Sequence, residues 1–198
     1  MNADELLERA LAYALGSLAG LGPGQLARAT PCARWDLGEL LAHFNDSLDA
    51  IGEGLGSGCV ALDGGPCPVV AGSDPGAGFR ERARGLLGTA VRGGRPVVVA
   101  DRGLSVEIVA AVGAVEIAVH GWDVAQARGE RRPVPPALAA ELLPLARLFV
   151  TGEERGVNFA EPVGVASGAC PGDRLVAFLG RRPGPPRFLS VAGPVCLP

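Results

Sequence analysis

Apolar residues recur at helical spacing through most of this chain, but one stretch is apolar almost all the way round. Residues 104–128, LSVEIVAAVGAVEIAVHGWDVAQAR, would make about seven turns of helix. A helix with no polar face belongs in the middle of a bundle, covered by its neighbours. Other stretches have the one-sided pattern of helices that would cover it. Leu7, Ala10, Leu11, Ala14, Leu15 and Leu18 form one face of a helix predicted over 3–21, stopped by Gly20 and Gly22–Pro23–Gly24. Leu37, Leu40, Leu41, Phe44, Leu48 and Ile51 do the same over 37–51, and Asp36 followed by Glu39 is a capping-box start. Asp74–Pro75 opens a third helix through Phe79, Ala83, Leu86, Leu87 and Ala90. Residues 137–150 form a further helix, with Pro144 expected to kink it, and a short one is expected over 172–179.

Between these, residues 52–73 are rich in Gly and Pro without periodicity and read as a loop, a candidate cover for a pocket. Residues 95–100, RPVVVA, read as a short extended piece, and 183–198 as a Pro-rich tail. The expected fold is therefore all-α, with 1–150 as a helical bundle and 151–198 as a C-terminal extension packed on it.

Into the apolar rod the sequence places Glu116, His120 and Asp123, which share one helical stripe. An ionised carboxylate is costly to bury without a cation, a hydrogen-bond network or water. Glu and His four apart can give one oxygen and one nitrogen ligand to a divalent metal. They can equally form a core Glu–His hydrogen bond. His43, at the margin of the second helix's apolar stripe, reads by itself as a hydrogen-bonded structural residue or a ligand.

Composition narrows the choices. Nearly half of the 198 residues are apolar and the net charge is −3, so no basic footprint for nucleic acid exists. Every basic residue is Arg, which removes Lys as a nucleophile. The longest apolar stretch is interrupted by Glu107 and Glu116, which argues against a membrane span, and no secretory signal is visible. The five cysteines (Cys32, Cys59, Cys67, Cys170, Cys196) include no C-x2-C pair and read as reduced thiols of a cytoplasmic protein.

Two segments together, TPCARWDLGELLAH (30–43) and EIAVHGWD (116–123), resemble the DinB-like superfamily, in particular the branch related to mycothiol-dependent maleylpyruvate isomerase. The similarity covers about 3–183 and includes Arg155–Gly156, Phe159, Pro162–Val163, Asp173–Arg174–Leu175 and Phe178–Leu179–Gly180–Arg181. The resemblance implies a DinB-like four-helix bundle with a short C-terminal extension. It implies His43, Glu116 and His120 as ligands of one divalent metal, most plausibly Zn2+, with Ni2+, Cu2+ or Mn2+ as replacements. Asp123, next in the family pattern, would either orient an imidazole or serve a helix-surface or packing role, and Arg155 would clamp an anion; Trp35 reads as packing the entry to the second helix rather than touching substrate. The implied chemistry is activation of a small thiol, mycothiol as cosubstrate, for attack on an electrophilic small molecule in isomerisation or transfer. The partners expected are small molecules, neither nucleic acid nor membrane, with the chain a monomer or homodimer. The alternatives are a thiol-independent Lewis-acid lyase or cyclase and a non-catalytic metal-dependent binding or resistance protein. The chain is short for the isomerase, and the tail after Arg182 and the Cys59–Cys67 loop have no counterpart in it.

Overall fold

The computed structural model describes residues 2–32, 35–60, 74–87, 96–99, 102–156 and 158–184. It is mostly helical with one small sheet, and it divides into two units, Met1–Arg132 and Pro133–Pro198. The first contains α1 (Ala3–Leu18), α2 (Leu37–Ser57), β1 (Cys59–Val60), α3 (Ala77–Leu87), β2 (Val97–Val99), β3 (Arg102–Leu104) and α4 (Val106–Ala127). The second contains α5 (Pro136–Phe149) and α6 (Pro171–Phe178), which pack on each other. The division falls after Arg132, so α5 goes with the C-terminal unit, whereas the sequence reading carried the bundle to 150.

Within the first unit α4 packs against α1 and α2, and α2 also packs on α3. Most of α4 is buried, in keeping with its apolar circumference. By length and composition α4 would also pass for a membrane span, but 78% of its most apolar window is buried in the protein, which is the state of a core helix. Ser105 caps its start by accepting from the Ile108 N–H at 3.3 Å.

Two glycines let α4 approach its neighbours. A Cβ on Gly121 would sit 3.1 Å from Ala14 Cα and 3.3 Å from Tyr13 Cδ1, so glycine sets the α1–α4 spacing. A Cβ on Gly113 would lie 2.8 Å from Ile51 Cδ1, which does the same for α2. The far end of α4 is tied back to α1. Arg128 donates to the Ser17 carbonyl at 2.5 Å, and the Tyr13 hydroxyl donates to the Arg132 carbonyl at 2.6 Å. Gly121→Val, which adds a branched side chain where only hydrogen fits, is expected to cost about 1–3 kcal/mol of stability, read by urea denaturation. An unchanged midpoint would mean that the helices can separate freely.

The mostly helical class is as expected, and two details refine it. First, a small sheet accompanies the helices: β1 pairs parallel with β2 through Cys59↔Val98, and β2 pairs antiparallel with β3 through Val97↔Leu104. The β-branched run of RPVVVA signalled β2, but two- and three-residue partners carry no pattern long enough to read. Second, the expected loop 52–73 begins too early, because α2 continues to Ser57 and ends at Gly58 in the left-handed region (φ 76°). Glycines usually stop a helix, but here Gly54 has the Val97, Val60 and Val109 methyls 3.1–3.4 Å from where its Cβ would be. Close packing compensates for the poor helix propensity. Residues 61–73 of that loop and 185–198 of the tail lie outside the described residues.

The capping box is as expected: Asp36 accepts from the Glu39 N–H and Glu39 from the Asp36 N–H, both at 2.9 Å. α5 runs through Pro144. Cys170 is disulfide-bonded, which corrects the expectation that all five cysteines are free; spacing along the chain cannot report which sulfurs meet in space. Cys59 is a free thiol, and Cys32 takes part in no disulfide. Cys67 and Cys196 lie outside the described residues.

Candidate metal centre

α2 and α4 run side by side in opposite directions, with Gly54 beside Val109, Ile51 beside Gly113 and His43 beside Glu116. That arrangement brings together residues 73 positions apart in sequence. His43 Nε2 lies 2.9 Å from Glu116 Oε1, and His120 Nε2 lies 2.9 Å from the same oxygen. The three ligand atoms fall within 4.8 Å of one another, so the group can hold one metal ion. Two imidazole nitrogens and a carboxylate oxygen turned toward one point are a donor set that suits a borderline divalent cation.

Accessibility grades across the site. The His43 and Glu116 side chains keep 36% and 28% of their surface, while His120 keeps 5% and Asp123 none. One side of the group is thus held in the core and the other reaches solvent, the distribution an open coordination position requires.

Asp123 supports this geometry from behind. Its Oδ2 lies 3.1 Å from His120 Nδ1, a contact of the kind that orients an imidazole. Both His120 nitrogens therefore face carboxylate oxygens, an arrangement that favours the protonated imidazolium when no metal is bound. Burial opposes the charge on His120, but the Glu116 carboxylate and the Asp123 hydrogen bond outweigh it and raise the imidazole to about 9. Burial likewise pushes Glu116 upward, and the two histidines overcome it and hold the carboxyl well below its usual range.

Trp35 does more than pack the entry to α2. Its indole lies over the His43 ring at 4.4 Å between centroids and 6.2 Å from that of His120. The loop that carries it is pinned, with Trp35 N–H donating to the Cys32 carbonyl and the Thr30 hydroxyl close to the Trp35 carbonyl. Ser47, one turn along α2 from His43, has its hydroxyl 3.5 Å from His43 Nε2. Sequence reasoning passed over Ser47, although its i+4 spacing from His43 was there to use.

Arg155 belongs to the second unit. Its guanidinium stacks over Phe178 at 4.6 Å and donates to the Ala160 carbonyl at 2.8 Å, both within that unit.

No family model matches the sequence, and no solved structure matches it significantly. It is similar to two proteins of Mycobacterium tuberculosis strains, the uncharacterized proteins MT0763 and Rv0738. Each is 27% identical over 177 residues, covering 83% of this chain and 89% of the relative.

Proposed function

We propose that this chain is a metal-dependent enzyme of the DinB-like superfamily, in the branch related to mycothiol-dependent maleylpyruvate isomerase, with α1 to α4 as its four-helix bundle. The observation that supports this reading best is the convergence of His43 and His120 on one oxygen of Glu116, with the outer side of the group accessible. His43, Glu116 and His120 would hold one divalent ion, zinc by donor preference and nickel, copper or manganese by substitution. When bound, that ion supplies a positive charge that stabilises a small thiol, mycothiol in this reading, in its nucleophilic anionic form.

The protein's own part is positional. Asp123 holds the His120 ring by Nδ1 and leaves Nε2 directed at the site. Trp35 backs the His43 ring and limits its rotation. Glu116 contributes one negative charge, which offsets half that of a divalent cation and leaves a net positive charge to attract an anionic ligand. The electrophile would be a small molecule, the compartment the cytoplasm, and the chain a monomer or homodimer; the reading involves no nucleic acid.

The test is elemental analysis followed by turnover assays with and without added thiol, on wild type and His120→Ala. Expected are one ion per chain in wild type, loss of that ion in the variant, and thiol-dependent turnover that disappears with it. Wild type that takes up no metal under replete conditions would end the proposal. Metal-dependent turnover indifferent to thiol would replace it with a Lewis-acid lyase or cyclase. Stoichiometric ligand binding without turnover would leave a binding or resistance protein.

A further inference from the structure

The C-terminal unit holds a cleft of its own, of about 460 Å³, and every residue that lines it lies within Pro133–Pro198. Arg147 comes from α5, Arg174, Ala177 and Phe178 come from α6, and Val163 and Val165 come from the segment between the helices. Arg174 and Phe178 are four residues apart and so share a face of α6. Apart from the two arginines and Ser167 the lining is apolar, and it contains no carboxylate. Among the described residues neither arginine is paired with an acid. Arg174 donates to the Ser167 carbonyl, and the Arg147 guanidinium lies 5.8 Å from the centroid of the Phe178 ring. Arg155 stacks on the same ring at 4.6 Å, so a third positive charge stands nearby without lining the cleft. Like charges gathered in this way repel one another, and an anion held among them relieves the repulsion.

From this lining we infer that the cleft binds a small organic carboxylate, with its charged head on Arg147 and Arg174 and its apolar body against Phe178, Val163 and Val165. The inference is independent of the metal reading, because no residue of the candidate metal centre lines this cleft. A guanidinium presents a planar fork of donors that matches a carboxylate. Arg174 uses one donor on the Ser167 carbonyl and keeps the others for a ligand. The apolar lining decides between anions, since one charge costs less to desolvate there than the nearly two of a phosphate ester. The size also fits, because small-molecule sites run from about 300 to 1,000 Å³. Val165, 38% exposed, is the apolar surface that such a body would cover.

The experiment titrates the full chain with benzoate, benzamide, acetate and phenyl phosphate, with affinity read from NMR chemical-shift changes. Benzoate should bind about tenfold more tightly than benzamide, its uncharged isostere, because the charged hydrogen bonds are lost. Acetate should also be about tenfold weaker than benzoate, for want of the ring. Arg147→Gln and Arg174→Gln should each weaken benzoate, and the double variant should lose the preference for benzoate over benzamide. Both arginines are exposed, so an unchanged melting temperature is the check that the variants have folded. Benzoate affinity should be the same in wild type with and without a chelator, and in His120→Ala. Equal binding of benzoate and benzamide, no binding of either at millimolar concentration, or benzoate binding unchanged in the double variant overturns the proposal. Benzoate binding that disappears with the chelator or in His120→Ala belongs to the metal centre and overturns the cleft assignment. Phenyl phosphate binding more tightly than benzoate overturns the carboxylate assignment.

Discussion

If His43, Glu116 and His120 hold a metal as proposed, Glu116→Gln is expected to lower its affinity by at least about a hundredfold, because it removes the ligand charge, where loss of an outer-shell contact alone costs 10–100-fold. The amide keeps the shape of the carboxylate, so the loss reports charge and ligation rather than packing. Stability of the metal-free protein gives an independent reading. If Glu116 were only a desolvated carboxylate, neutralising it would raise the melting temperature or leave it alone. The structure predicts the opposite at neutral pH, since Glu116 Oε1 is the shared partner of His43 and His120 at 2.9 Å. Removing the charge leaves the His120 imidazolium with Asp123 alone, and a loss of about 1–2 kcal/mol is expected for this partly accessible group. Metal binding by competition with a chromophoric chelator and melting of the metal-free form, on the same variant, measure the two effects. Unchanged affinity would remove Glu116 from the ligand set, and a rise in melting temperature would remove its pairing with the histidines.

The metal-free protein is expected to lose stability as pH rises from 7 toward 10, and the metal-loaded protein to resist that loss. The sign follows from His120, whose folded value of about 9 stands above the 6.5 of a free imidazole. A raised value stabilises fully below about pH 6.5, and the contribution disappears as pH passes through about 9. The difference corresponds to about 3 kcal/mol. Glu116 works in the other direction. Held below its ordinary 4.5, it stabilises above that pH and its contribution is lost as acid protonates it. A metal-free stability maximum near pH 5–6.5 results. Metal must displace the His120 Nε2 proton, so apparent affinity should climb about tenfold per pH unit below about 9 and then level off. Urea denaturation from pH 5 to 10, with and without Zn2+, checks both halves. A flat metal-free profile above pH 7 would show that His120 is not held protonated.

Much of this was written locally in the chain. The all-round apolar stretch identified α4, because a helix without a polar face has only a core to enter. The Asp36–Glu39 box marked the start of α2 through hydrogen bonds that need three residues and no tertiary context. Glu116, His120 and Asp123 were legible as one stripe, since 3.6-residue periodicity is local geometry. His43 was not legible alone. Its position opposite Glu116 depends on how α2 lies along α4, and Gly113 and Gly54 set that distance by what their missing side chains admit. The same dependence explains why 52–57 continue as helix and why Cys59–Val60 becomes a strand, since both outcomes depend on what packs beside them. Periodicity could say that the stripe carries Glu and His. Which edge reaches solvent, that Trp35 covers His43, and that Ile108 and Val112 stay uncovered were decided only when the helices packed, because burial belongs to neighbours in space and not to neighbours in sequence.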